Sequence, residues 1–281
     1  MMQAVWARPE EPAKQILFIP PFPSKIPHKT MATAPAITAY TPTFNEAAQI
    51  RAVLESVKWA DEIILVDSFS TDGTVEIAKE YGARIVSEKF CGFGRLRNLA
   101  LEASANDWMV SIDADERCTP EFATEVRQTL AAPKCAAYFV PRLNYFLGRP
   151  IHYCGMYPDY RQPQVFDRRR FKYHDHLVHE GFVCDGPRGY FTHPIVQHPF
   201  PTLAVVLAKN ERYTSLMAQR YFNEGRRAGL GNLAFSPAAA FFKKYFLQQG
   251  FREGTHGFLL AGFHALYTFI KYAKLWELQR R

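Results

Sequence analysis

The chain has 281 residues, 48% of them hydrophobic and 22% charged, which is enough apolar material for one large α/β domain, alone or with an appendage, and excludes an intrinsically disordered chain. Its formal charge of +7 is uneven: residues 1–202 carry 22 Lys and Arg against 23 Asp and Glu, whereas residues 203–281 carry 12 against 4. Five cysteines (Cys91, Cys118, Cys135, Cys154 and Cys184) without C-x-x-C spacing argue against a disulfide framework and for a reducing compartment.

Residues 1–34 are Pro-rich, lack the long apolar stretch and cleavage site of a signal peptide, and are expected to form a flexible leader, with Met31 as an alternative start. From Ile37 the pattern becomes regular. "AITAYTP" reads as a strand, and "NEAAQIRAVLESV" as a helix with Ile50, Val53, Leu54 and Val57 on one face. "EIILV" is a strand. "STDGTVEIAKEYG" is a turn and a helix, with Thr71 or Asp72 to cap it and Gly82 to end it. "ARIVS" is a further strand, "GRLRNLALEASA" a helix, and "DWMVSI" a strand running into the acids of "DADE".

Strand and helix alternate in units of about 25 residues, as the crossovers of a mostly parallel sheet require. Such a sheet binds ligands beyond the carboxyl ends of its strands. Three of those ends carry acids: Glu46, then Asp67, then Asp113 with Asp115. In extended chain, residues i and i+2 point the same way, so Asp113 and Asp115 are expected to aim at one point and to hold Mg²⁺ or Mn²⁺ with open positions for phosphate oxygens. The competing reading is a solvated acidic turn before a helix starting near Thr119.

After Pro141 the chain turns aromatic and polar, with short strands such as "QVF", and is read as the acceptor side. Helices return from Leu203, interleaving Phe, Tyr, Leu and Trp with Lys and Arg. The longest apolar run, "GFLLAGFHALYTFI", is too short to cross a bilayer. That composition suits peripheral contact with an anionic membrane; a helical hairpin packed on the catalytic domain or in a homo-oligomer fits it nearly as well. Nucleic acid is not expected as a partner, because no recognised binding motif accompanies the basic residues and the front half is slightly acidic.

The segments "TPTFNEAAQIRAVLESV", "ADEIILVDSFSTDGTVEIAKEYGA", "GFGRLRNLAL", "DWMVSIDADE", "VPRLNYFLGR" and "YPDY" together resemble the family 2 glycosyltransferases. The likeness is best to the KdtX/WaaE-like β-glucosyltransferases of the lipopolysaccharide inner core, and spans about residues 37–215. It implies a GT-A fold, a Rossmann-like mixed sheet flanked by helices, here over residues 35–202 with a C-terminal helical extension over 203–281. It also implies a UDP-sugar donor, a divalent metal, inversion at the anomeric carbon, a lipid-linked saccharide acceptor, and a cytoplasmic protein peripheral on the inner face of the cytoplasmic membrane.

Carried over by position, the resemblance places Pro42, Asn45 and Glu46 along the base and ribose, and Asp67 on the base. Ser70, Asp72 and Gly73 stand in the element "D-S-G-S-T-D-G-T", where this chain has Phe69 in place of a glycine. Arg95, Arg97 and Asn98 are expected toward the donor. Asp113 and Ala114 are expected at the diphosphate, and Asp113, Asp115 and His198 at the metal. Inverting transfer needs a base for the acceptor hydroxyl, for which Glu180 in "LVHEG" is preferred to Asp159 in "YPDY". A zinc site in "HDHLVHE" is disfavoured, because it lacks H-E-x-x-H spacing. A sugar nucleotidyltransferase should carry a Gly-rich loop where this chain has "TPTFNEA". The alternative from another class is a non-catalytic binding module on a transferase scaffold.

Overall fold

The computed structural model describes residues 34–174 and 181–280. The chain runs β1 (Ile37–Thr43), α1 (Ala47–Val57), β2 (Glu62–Asp67), α2 (Thr74–Glu80), β3 (Arg84–Ser87), α3 (Phe93–Ala103) and β4 (Trp108–Ser111). Each of these matches a stretch expected from sequence to within one residue beyond its ends. Next come β5 (Glu116–Cys118), α4 (Pro120–Leu130), β6 (Ala137–Phe139), β7 (Arg142–Phe146), β8 (Arg149–Pro150), β9 (Pro163–Asp167), β10 (Phe171–Tyr173), β11 (Phe182–Cys184), β12 (Arg188–Tyr190) and β13 (Ile195–Phe200). Three helices follow: α5 (Leu203–Asn223), α6 (Leu230–Phe242) and α7 (Thr255–Leu278).

The main sheet has seven strands in the order β12-β6-β9-β4-β1-β2-β3. β3, β2, β1 and β4 are mutually parallel, whereas β9 enters antiparallel between β4 and β6. Alternation along the strands divides the core into two layers. Ile37, Ala39, Leu65 and Val110 face α1, α2 and α4, whereas Tyr40, Ile64, Val66 and Met109 face α3 and the β10–β11 ribbon. The four apolar positions read along α1 are all buried. Thr119 caps α4 by accepting from the Phe122 amide, with Pro120 at the first helical position. Gly82 ends α2 at φ +69°, its amide and that of Ala83 bonding back to Lys79 and Ala78.

Sheet order reverses direction between β1 and β4, since the chain moves outward from β1 through β2 and β3 and then returns to the other side of β1. That is the switch point at which such sheets open a ligand crevice. Pairing of β1 with β4 stops at Tyr40 opposite Ser111. Pro42, two residues on, has no N–H for a further rung, which helps the strands part.

A second sheet, β5-β13-β7-β8, stands beside the crevice. It was not foreseen, because its strands come from distant, short segments. Phe146 and Ile151 from its strands and the following turn pack with Val206 of α5 and Leu259, Leu260 and Phe263 of α7, so the helical region shares a core with this sheet. The architecture is therefore the expected GT-A arrangement, a mixed sheet flanked by helices with a C-terminal helical region.

Candidate active site

Two loops meet over the carboxyl ends of β1 and β2 and hold each other through side chain to backbone bonds. Asn45 lies at φ +55°; its amide donates to Ser70 Oγ at 2.8 Å and its Oδ1 accepts from the Thr71 amide at 2.8 Å. Asp72 accepts from Ala47 N (2.9 Å) and from Thr74 N (3.1 Å), so one carboxylate serves the first turns of both α1 and α2. The Thr74 hydroxyl and these amides hold its pKa below the usual carboxylate range. Asp67 is buried and accepts from both the amide and the hydroxyl of Ser70. Gly73 lies at φ +92° with open space where a Cβ would go, so backbone geometry rather than crowding calls for glycine. Phe69, the departure from the family pattern, does adopt the left-handed conformation at φ +64°, and its ring is 54% exposed.

The acidic segment is a turn, and this corrects the extended geometry expected for Asp113 and Asp115. The Glu116 amide donates to the Asp113 carbonyl at 2.9 Å, closing residues 113–116. The third acid explains why the chain tolerates the cluster. Glu116 is fully buried: its Oε1 accepts from Arg142 Nε at 2.6 Å, and its Oε2 accepts from Gln164 Nε2 (2.8 Å) and from the Asp113 amide (3.0 Å). Burial pushes its carboxyl up against the pull of Arg142. Arg117 braces the turn from outside by donating to the carbonyls of Ala114 (2.9 Å) and Glu116 (2.6 Å).

Arg97 reaches up from α3, buried, and forks between Ser111 Oγ (2.6 Å) and Asp113 Oδ1 (2.7 Å). Burial alone would raise the Asp113 pKa; the guanidinium groups of Arg97, Arg142 and Arg161 overcome it and hold the carboxyl low. Asp115 Oδ1 accepts from Gln197 Nε2 at 3.2 Å, and its carbonyl accepts from the His198 amide at 2.8 Å. Burial and Arg117 keep the His198 imidazole below its ordinary pKa, hence neutral and able to act as a ligand.

Among the described residues no three His, Cys, Asp or Glu side chains form a ready cage for a metal ion. One or two carboxylates and an imidazole facing a diphosphate is nevertheless the donor set that Mg²⁺ or Mn²⁺ takes, since substrate oxygens complete the shell. Gln197 Oε1, on the side chain that donates to Asp115, is buried without a hydrogen-bond partner among the described residues. Asp113, Asp115 and His198 are donors of the kind such a divalent ion takes, on the turn and on the strand whose His198 amide bonds to it.

The rim carries two further groups, of which sequence reading missed the first. Lys209 of α5 donates to the Pro199 carbonyl at 2.9 Å, one residue from His198. It acts on Glu46, whose carboxyl is raised by burial and Asp115 and lowered by Lys209. On the other side, Arg161 Nε and Nη2 both engage Asp159 Oδ2 (2.9 and 2.7 Å), and Asn144 Nδ2 approaches the same oxygen at 3.4 Å. Lys209 stood in no recognisable motif, and Arg142, although within "VPRLNYFLGR", was given no role there, so their partners identify them.

Two further residues of α3 have protein partners. Asn98 binds the backbone of Tyr173, its Nδ2 donating to the carbonyl (2.9 Å) and its Oδ1 accepting from the amide (3.1 Å), which anchors β10. Arg95 is drawn along the helix to Glu102 at 2.8 Å. Arg97 is set inside the protein, beneath Asp113. Glu180 lies outside the described residues, as do His176 and His179.

The chain is similar to several known proteins. The lipopolysaccharide core biosynthesis glycosyltransferase LpsC of Rhizobium meliloti (strain 1021) is 29% identical over 253 residues, covering 86% of this chain and 92% of that protein. An uncharacterized glycosyltransferase of Rickettsia bellii (strain RML369-C) is 28% identical over 254 residues, with 86% of each covered. Among solved structures, residues 1–349 of S. aureus TarS match with a TM-score of 0.45 at 14% identity, over 87% of this chain and 91% of that one. Glucosyl-3-phosphoglycerate synthase from Mycobacterium tuberculosis, in complex with Mn²⁺, UDP and glucosyl-3-phosphoglycerate, matches with a TM-score of 0.35 at 27% identity, over 43% of this chain and 50% of that chain. The model of Glycosyl transferase family 2 matches residues 38–184, just over half of the chain. With its acidic turn at the switch point of a GT-A sheet, the chain belongs to glycosyl transferase family 2.

Proposed function

We propose that this protein is an inverting, metal-dependent hexosyltransferase that moves glucose from UDP-glucose onto a lipid-linked saccharide such as the lipopolysaccharide inner core, at the cytoplasmic face of the membrane. The acceptor class is supported by the likeness to LpsC. The reaction is supported above all by one observation: Asp113 and Asp115 stand on a turn braced from beneath by Arg97 and Glu116, beside His198, whose amide donates to the Asp115 carbonyl.

The nucleoside lies over the loops carrying Pro42, Asn45, Glu46, Asp67, Ser70, Asp72 and Gly73. Asp67 and Asp72 act largely by fixing those loops, and Glu46 offers a carboxylate to the ribose hydroxyls. Mg²⁺ or Mn²⁺, held by Asp113, Asp115 and His198, supplies positive charge for the leaving diphosphate. Lys209 adds a second cation on the same side. The acceptor hydroxyl oxygen forms the new bond to the anomeric carbon as the bond from that carbon to the phosphate oxygen breaks, and UDP leaves with the electron pair.

The proton goes to Glu180. Asp159 positions instead of accepting, because Arg161 and Asn144 both hold its Oδ2. Gly181, next in sequence to Glu180, accepts from the His174 amide, and neighbouring Tyr173 lies under Arg97 with its ring 5.6 Å from the guanidinium.

The test is thermal: UDP with Mn²⁺ should raise the melting temperature of the wild type and leave Asp115→Ala unchanged, and a panel of UDP-sugars compared for hydrolysis should single out UDP-glucose. No nucleotide effect on the wild type would overturn the reading. Loss of transfer in Asp159→Asn with full transfer in Glu180→Gln would move the base to Asp159.

A further inference from the structure

Helix α6 inverts the usual arrangement of a surface helix. None of its 13 described residues is buried, and from Leu230 to Phe242 it carries no acidic or basic residue. Its half-buried positions (232, 233, 236, 237, 240 and 241) lie toward α7, which leaves 230, 231, 234, 235, 238, 239 and 242 on the outer face. The π-helical segment Lys243–Leu247 prolongs that face. The result is an exposed stripe of Leu230 (84% exposed), Phe235 (76%), Phe242, Phe246 and Leu247 (68%). Eighteen helical residues span about 27 Å. An ordinary surface helix turns its polar side to water; this one turns its apolar side.

Charge indicates what covers the stripe. Arg227 precedes it, Lys243 lies on it, and Arg252 follows it, all exposed, within a region holding 12 Lys and Arg against 4 Asp and Glu. Aromatic and aliphatic side chains on a convex ridge with cations at both ends match a helix lying in the headgroup layer of an anionic bilayer. None of the described helices is long and apolar enough to cross a membrane. A surface-lying mode is the one this composition supports.

We infer that the outer face of α6 and the π-helical segment after it, Leu230 to Leu247, is the lipid-docking element, which inserts its apolar side chains into an anionic leaflet while α7 and the second sheet carry the catalytic crevice above. This rests on the lipid-linked acceptor proposed above, and names the element that meets the lipid.

The experiment uses the full chain and co-flotation with vesicles of phosphatidylcholine alone or mixed with phosphatidylglycerol. Wild type should float with the mixed vesicles, less so as salt rises. Phe235→Trp should shift its emission to the blue on binding and be quenched by brominated lipid. Phe235→Ser with Leu247→Ser, at exposed sites, should lower partitioning by about tenfold or more per side chain removed, while the melting temperature and its response to UDP with Mn²⁺ stay as in wild type. Absence of vesicle binding, or binding indifferent to these substitutions, would overturn the inference. So would a wild-type dimer that the double variant converts to a monomer in light scattering, since a second copy would then cover the stripe. UDP-sugar hydrolysis without lipid reports on the glycosyltransferase reading separately.

Discussion

Arg97 Nη2 donates to Asp113 Oδ1 at 2.7 Å, so the first acid of the D-x-D turn is bound to a buried cation from the opposite layer of the fold. Arg97 is thus part of the site's foundation. Arg97→Met is expected to cost about 3 kcal/mol by urea unfolding, near the low end for breaking a buried pair because Asp113 keeps 35% of its side chain exposed. Arg97→Lys should not restore the loss, since one ammonium does not reproduce the fork between Ser111 and Asp113.

Glu116 and Arg142 form the deepest ion pair of the site, both nearly inaccessible to water. Glu116→Gln or Arg142→Met alone should each destabilise by about 3–5 kcal/mol, because each strands a buried charge or donor. The double variant should cost clearly less than the two single costs together. Full additivity in a double-mutant cycle would refute direct coupling.

Lys209 and Glu46 give a pH prediction. Burial and Asp115 raise the Glu46 pKa and Lys209 lowers it, so Lys209→Met should raise it further. In the proposed function ribose hydroxyls would donate to an ionised Glu46, an interaction lost as pH falls. The acid limb of UDP affinity should therefore move to higher pH in Lys209→Met than in wild type, read by calorimetric titration across pH. An unmoved limb would separate the two residues.

Asp61 pins the start of β1 by accepting from the Ile37 amide at 2.7 Å while it receives Arg127 from α4. Chiefly the Arg127 hydrogen bonds hold its pKa below the ordinary Asp value. A depressed carboxyl stabilises the fold above its unfolded pKa of about 3.9, and that contribution fades as pH falls through the lower folded value. The stability gap between wild type and Asp61→Asn should accordingly be full at neutral pH and close below about pH 4, in unfolding curves taken across that range.

The donor loop holds two left-handed residues with opposite expectations. Gly73→Ala should destabilise by about 1–2 kcal/mol through backbone strain alone, as no atom crowds the added methyl. Phe69→Gly relieves strain of about 1–2 kcal/mol and loses about 0.5–1 kcal/mol to the freedom of glycine when unfolded. Its stability should be unchanged or slightly higher in thermal melts.

The strands and helices through β4 were legible because apolar residues recur at intervals of two or near 3.6, as in Ile50, Val53, Leu54 and Val57 of α1. The acids at three strand ends were legible from the same register. Arg142, Gln164 and Lys209 were not, since a residue's partner 26, 48 or more positions away leaves no periodic mark. The bond from Asn98 to the Tyr173 backbone was not legible for the same reason: position in a motif does not tell which face of α3 meets β10.

Sequence alone determined the strand-helix alternation, the carboxylates at the carboxyl edge and the basic, aromatic character of the last helices, because local spacing and composition write these directly. Only tertiary structure decided that Asp113 and Asp115 stand on a turn, that Glu116 faces inward to Arg142, and that α6 turns its apolar side outward. Those outcomes follow from which distant groups share a dry interior, where charge must find opposite charge and where one helix face can pack but the other cannot.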